Sequence, residues 1–136
     1  MIALTAFFIV KIIDVYPANM DEPKPNPAKV RLSGYQHLVR AEVIRGKYRN
    51  SLQRPEAFVA NKATRVRLRL PDVCHSFRRG HRLMVQIQSS WFPLVDRNPQ
   101  TFTNIYQATE ADFRKSIHRL LRSKEHPSKL TLRVMP

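Results

Sequence analysis

The sequence predicts an all-β fold on three observations. Residues 64–70 and 82–90 alternate apolar with polar side chains, the period of a strand with one buried face. Ten prolines interrupt the 136 residues, four of them within residues 17–27, and they mark connections between strands. No stretch shows the regular exchange of strand and helix that builds a parallel sheet. At this length the chain forms one domain at most, able to bury roughly 68% of its unfolded surface without staples.

The elements follow in order. Residues 1–15 are an apolar run broken by Thr5, Lys11 and Asp14. The run lacks the basic leader and small-residue cleavage site of a signal peptide, and it is too short to span a bilayer. Phe7, Phe8, Ile9, Val10, Ile12, Ile13 and Val15 suit a strand buried on both faces. Residues 17–27 read as a partly extended loop. Gly34 precedes a second strand region, residues 35–49, whose imperfect alternation predicts a bulge or bend near Gly46. Residues 50–62 are irregular.

Residues 64–70 form the cleanest strand, with Val66, Leu68 and Leu70 inward and Arg65, Arg67 and Arg69 outward. A short crossover at 73–79, with room for one helical turn, leads to Gly80. That glycine turns the chain into the strand at 82–90, with Leu83, Val85 and Ile87 on its buried face. Trp91 and Phe92 then open a loop in which Pro93 and Pro99 remove two backbone donors. Two large aromatics there need a surface to bury against. A short extended piece follows at 102–106. Thr109-Glu110-Ala111-Asp112 resembles a capping box, and Phe113, Ile117, Leu120 and Leu121 fit helical spacing, so residues 110–122 alone read as an amphipathic helix. A turn at 125–128 leads to a last strand with Leu130, Leu132 and Val134 inward.

Lysine and arginine number 24 against ten acidic residues, a net charge of +14. Such a balance raises nucleic acid or anionic lipid as partners. The basic residues are scattered, however, and no basic tract, zinc-ligand framework or aromatic RNA-binding motif accompanies them. Nucleic acid is therefore disfavoured; a solvated face, or one meeting an acidic partner domain, fits better. Cys74 is the lone cysteine, which excludes an internal disulfide, and it reads as a small buried apolar residue.

Chemistry-bearing motifs are sparse. No G-x-S-x-G elbow occurs, and Ser89 and Ser90 end a strand without flanking glycines. His37, His75, His81, His118 and His126 show no metal-ligand spacing and read as structural or surface groups. No catalytic residue, cofactor or metal is implied.

Several unusual runs keep one order along nearly the whole chain. They are Lys11-Ile12-Ile13-Asp14-Val15-Tyr16-Pro17, Gly46-Lys47-Tyr48-Arg49-Asn50-Ser51, Gly80-His81-Arg82, and Ser89-Ser90-Trp91-Phe92-Pro93-Leu94-Val95-Asp96-Arg97-Asn98-Pro99, closed by Glu125-His126-Pro127-Ser128. This set resembles the C-terminal domain of the X-prolyl dipeptidyl-peptidase and cocaine-esterase-like serine hydrolases. That group includes α-amino-acid ester hydrolases and cephalosporin-acylase-like enzymes. The resemblance implies a jelly-roll, galactose-binding-like β-sandwich with one or two short helical turns. Its partner would be a separate α/β-hydrolase catalytic domain carrying the triad, so that the chain alone is inactive.

The resemblance also implies further strands before residues 7–15. Residues 1–136 then read as a partial C-terminal sandwich domain, and an exposed edge near Phe7 to Ile13 is open to pairing with a second copy. It implies a helical turn at 109–113 followed by a strand at 115–122. Loops of such sandwiches help cover the cleft, which makes Tyr35, Trp91, Phe92, Asp96, Arg97 and Asn98 candidate cleft or domain-interface residues. Asp96 and Arg97 also have a structural reading, as a cap for turn donors and a partner for a carboxylate or carbonyls. A rival function is a free-standing β-sandwich module binding carbohydrate or an anionic polymer, with Trp91 stacking on a sugar.

Overall fold

Three antiparallel strands carry the fold in the order β2-β1-β3: β1 is Phe7–Val15, β2 is Gln36–Arg45 and β3 is Arg82–Gln88. The computed structural model describes residues 4–135. The remainder is loops, extended segments and three 3-10 turns at Gly46–Tyr48, Ile105–Gln107 and Glu110–Asp112. The class is all-β, as predicted.

β1 is central, and its β-branched and aromatic run makes it so. Ile9 is completely buried, and Phe7, Ile12, Ile13 and Val15 are each 7% exposed or less. Register fixes the faces, because directly paired residues share one. Phe7, Ile9, Lys11, Ile13 and Val15 lie on one side with Arg45, Val43 and Met84. Phe8, Val10, Ile12 and Asp14 lie on the other with Ile44, Arg40, Ile87, Val85 and Leu83. We call these the Phe7 face and the Asp14 face.

The two faces are covered by different connections. The segment after β3 lies on the Phe7 face, with Lys11 against Trp91 and Arg45 against Asp96. The segment before β3 crosses the Asp14 face: Phe58 meets Phe8 at 6.1 Å, the Asp72 carbonyl accepts from Arg40 at 2.7 Å, and His75 reaches Asp14. Its start is fixed by Gly46, where a Cβ would stand 2.6 Å from the Phe58 ring and 2.8 Å from the Ala6 carbonyl oxygen. Arg49 ties the same corner, donating to the carbonyls of Gly46 and Glu56 at 3.0 and 2.7 Å.

Several expectations are corrected. Residues 64–70 alternate in burial as predicted, with Val66, Leu68 and Leu70 half-buried and the arginines out. Among the described residues, however, they join no ladder and make no backbone hydrogen bond. The same holds for the strands expected at 115–122 and 130–134, and the amphipathic helix is absent too. Leu83, Val85 and Ile87 are each 41% exposed instead of buried. The expected edge at Phe7 to Ile13 does not exist: β2 and β3 pair with both sides of β1, so a second copy has no edge to join there. The bulge falls at Val39, between the Ile12–Arg40 and Ile13–Leu38 pairs, while Gly46 starts a 3-10 turn. Cys74 is exposed, residues 73–79 form no helical turn, and the piece at 102–106 runs into the Ile105–Gln107 turn. The turn expected at 109–113 is present, with the Thr109 N–H donating to the Asp112 carboxylate at 2.8 Å.

Candidate docking site at the aromatic loop

The loop at 91–99 is held from three sides. Lys11, one of two charged residues in β1, places its ammonium 4.1 Å from the Trp91 ring centroid. Arg45, at the end of β2, pairs with the Asp96 carboxylate and also lies 5.4 Å from the Phe7 ring. Arg97 reaches Glu110 at 3.3 Å and stacks 4.4 Å from the Phe113 ring. Each of these ion pairs is partly exposed and worth about 0–1 kcal/mol; their effect is to orient the loop. Pro99 is fully buried beneath it, and its carbonyl accepts from the Arg114 N–H at 2.9 Å. Asn98 turns inward beside Thr5, where Asn98 Nδ2 and Thr5 Oγ1 are buried without a protein partner. Both residues line a cavity of about 10 Å³.

Anchored this way, the loop displays apolar side chains. Phe92 is 66% exposed and Leu94 70%. Tyr106, 5.9 Å from the Arg45 guanidinium, is 80% exposed. These contacts thus hold a loop whose apolar side chains stand largely bare, a feature out of the ordinary for a surface segment. Of the candidate residues, Trp91, Phe92, Asp96, Arg97 and Asn98 therefore lie together. Asp96 pairs with a side chain instead of capping turn donors, and Arg97 does meet a carboxylate.

Tyr35 lies elsewhere, at the far end of the sheet. Its ring meets Tyr16 edge-on at 5.8 Å, beside a cluster that sequence reading missed. Asp14, 1% exposed, accepts from His75 Nε2 at 2.9 Å and from His81 Nδ1 at 2.8 Å. Burial disfavours its charge. The two imidazole hydrogen bonds and the imidazoles' charge outweigh that penalty and hold the carboxyl below its ordinary value of 3.8. Tyr16 packs on His81 at 4.4 Å and His37 meets His75 edge-on at 5.4 Å. The signal was present: a carboxylate inside a buried strand must be paired. Its partners are 61 and 67 residues away, beyond the reach of spacing rules.

None of these groups forms a nucleophile with its base. Cys74, next to His75, makes no hydrogen bond to an imidazole among the described residues. Ser116 Oγ does approach His118 Nε2 at 2.9 Å. That same nitrogen is shared with Gln100 Oε1 at 3.0 Å, and among the described residues no carboxylate bonds to the ring, so no triad is assembled from them. Among the described residues no three acidic, histidine or cysteine side chains are grouped to hold a metal. No helix there is long and apolar enough to cross a membrane.

Fold and site together define a class: an all-β domain with an aromatic loop held by ion pairs and, among the described residues, no assembled nucleophile. The chain belongs to the X-Pro dipeptidyl-peptidase C-terminal non-catalytic domain family, which matches residues 5–131. It is 28% identical over 133 residues to the cocaine esterase of Rhodococcus sp. (strain MB1 Bresler), covering 98% of this chain and 21% of that protein. Among solved structures it is similar to an aminopeptidase from the marine sediment archaeon Thaumarchaeota archaeon, with 46% identity and a TM-score of 0.71. That match covers 82% of this chain and 18% of the aminopeptidase. An α-amino acid ester hydrolase matches at 39% identity and a TM-score of 0.73, over 82% of this chain and 17% of the hydrolase. The chain thus spans about a fifth of the length of these relatives. These matches make it a β-sandwich, the non-catalytic C-terminal type of domain found in serine hydrolases.

Proposed function

We propose that residues 1–136 brace an α/β-hydrolase catalytic domain and shape the mouth of its cleft, with the loop at 91–99 as the contact. The observation carrying this is the exposure of Phe92 and Leu94 on a loop pinned by Lys11, Arg45 and Arg97. Trp91, Asp96 and Asn98 set its shape, and Tyr35 serves a second contact at the other end of the sheet. The whole enzyme would hydrolyse an ester, amide or X-prolyl peptide through an acyl-serine formed elsewhere.

The rival reading, a carbohydrate or polyanion module, has less support. Lys11 occupies one face of Trp91, and Lys11, Arg45, Lys47, Arg49 and Arg97 are each turned to aromatic rings. The test has two arms. The purified chain is assayed on chromogenic ester and X-prolyl anilide, and no turnover is expected. It is then titrated against the separately produced catalytic part of the archaeal relative. Saturable binding is expected, weakened at least tenfold by Phe92→Ser with Leu94→Ser. Turnover that survives a contaminant control, or binding indifferent to those changes, overturns the proposal.

A further inference from the structure

Two polar atoms are buried against one small cavity beneath the aromatic loop. Thr5, just before β1, is 4% exposed, and its Oγ1 has no hydrogen-bond partner among the described residues. Asn98, at the end of the loop, buries Nδ2 in the same condition. Both residues line a cavity of about 10 Å³. Other polar groups on its wall are engaged elsewhere. The Thr101 hydroxyl donates to the Asp112 carbonyl at 2.9 Å, Lys47 Nζ donates to the Thr103 carbonyl at 3.0 Å, and Arg45 pairs with Asp96. Buried hydroxyl and amide groups are ordinarily satisfied by protein or by ordered water, because leaving one unpaired forfeits its hydration.

We propose that this cavity holds one internal water molecule, bridging Thr5 Oγ1 and Asn98 Nδ2. Size selects the ligand first, since a single water needs roughly 10–15 Å³ of such space. Chemistry selects it second. The Asn98 amide donates to the water oxygen, and the Thr5 hydroxyl can accept from the water or donate to it. Thr101 Oγ1, which donates to Asp112, keeps acceptor capacity as a third partner. A metal ion is disfavoured, because among the described residues no carboxylate lines the cavity and Nδ2 presents hydrogens. A halide would take the same donors but is larger, and the test separates it. The water ties the loop to the segment entering β1 from within, while the Arg45 and Arg97 pairs hold it from outside. This site stands whether or not the chain braces a catalytic domain.

Two measurements on the full chain test the proposal. A high-resolution crystal structure is expected to show one density peak within hydrogen-bond distance, about 2.7–3.2 Å, of both Thr5 Oγ1 and Asn98 Nδ2. A parallel bromide soak is expected to give no anomalous peak there. In solution, oxygen-17 relaxation dispersion of the solvent counts long-lived internal waters. Thr5→Val with Asn98→Leu removes both polar atoms at nearly constant volume. It is expected to lower that count by one molecule relative to the unmodified chain; circular dichroism checks its fold. A cavity without density, a bromide peak inside it, or an unchanged count in the folded double variant overturns the proposal. If the variant does not fold, the density and the bromide soak decide.

Discussion

β1 and β3 are both apolar runs, yet the fold treats them differently. In β1, Phe7, Ile9, Ile12, Ile13 and Val15 are nearly sealed. In β3, Leu83, Val85 and Ile87 keep 41% of their surface. The difference is not hydrophobicity. β1 has a strand on each side and a covering segment on each face, whereas β3, among the described residues, is paired on one side only. Under the proposed bracing role, Phe92 and Leu94 on the loop are the side chains offered to a contact outside the chain. Core and interface residues thus share a composition and differ in coverage.

The largest expected effect breaks the sealed strand. Asp14→Ala leaves two imidazoles without their shared acceptor and is expected to cost about 3–5 kcal/mol, read by urea unfolding. Next comes the direct comparison of strands. Ile9→Ala should cost about 2–5 kcal/mol. Val85→Ala should cost about 1 kcal/mol or less, because its methyls are already partly in water. Equal costs would mean that β3 is covered after all.

Smaller effects sharpen the picture. Gly46→Ala drives a methyl into Phe58 and the Ala6 carbonyl and should cost about 1–3 kcal/mol. Acid acts through Asp14. Its carboxyl titrates below 3.8 in the fold, so the unfolded chain binds more protons as pH falls through that range. The stability contributed by Asp14 is therefore full above about pH 4 and is lost as pH falls through the folded value. Asp14→Asn should flatten that acid limb in pH-dependent urea titrations. Arg97→Ala should change stability by less than about 1 kcal/mol, with the difference shrinking in high salt.

How much of this was legible depends on how far each feature reaches along the chain. β1 was plain, because nine residues of dense β-branched and aromatic character have one solution. The loop at 91–99 was plain in outline from its prolines and aromatics, and the Thr109 turn from its capping residues. Residues 64–70 show the limit. Their alternation correctly gave which side chains point in, but a ladder needs a neighbour, and a sequence pattern cannot supply one. Leu83, Val85 and Ile87 show the same limit. Tyr35 and Trp91 were grouped by motif but stand at opposite ends of the sheet, since a strand separates them. Asp14 with His75 and His81 escaped notice because the cluster exists only after β1, β3 and the crossover meet.

Native-state amide hydrogen exchange on the isolated chain tests the central claim most directly, that β1 is sealed by pairing on both sides while residues 64–70 join no ladder. The account predicts that the amides of Ile9 to Ile13 exchange at rates set by global unfolding. Those of residues 64–70 should exchange near the rate of an open chain. Protection at 64–70 equal to that of β1, in a monomeric sample, would contradict it.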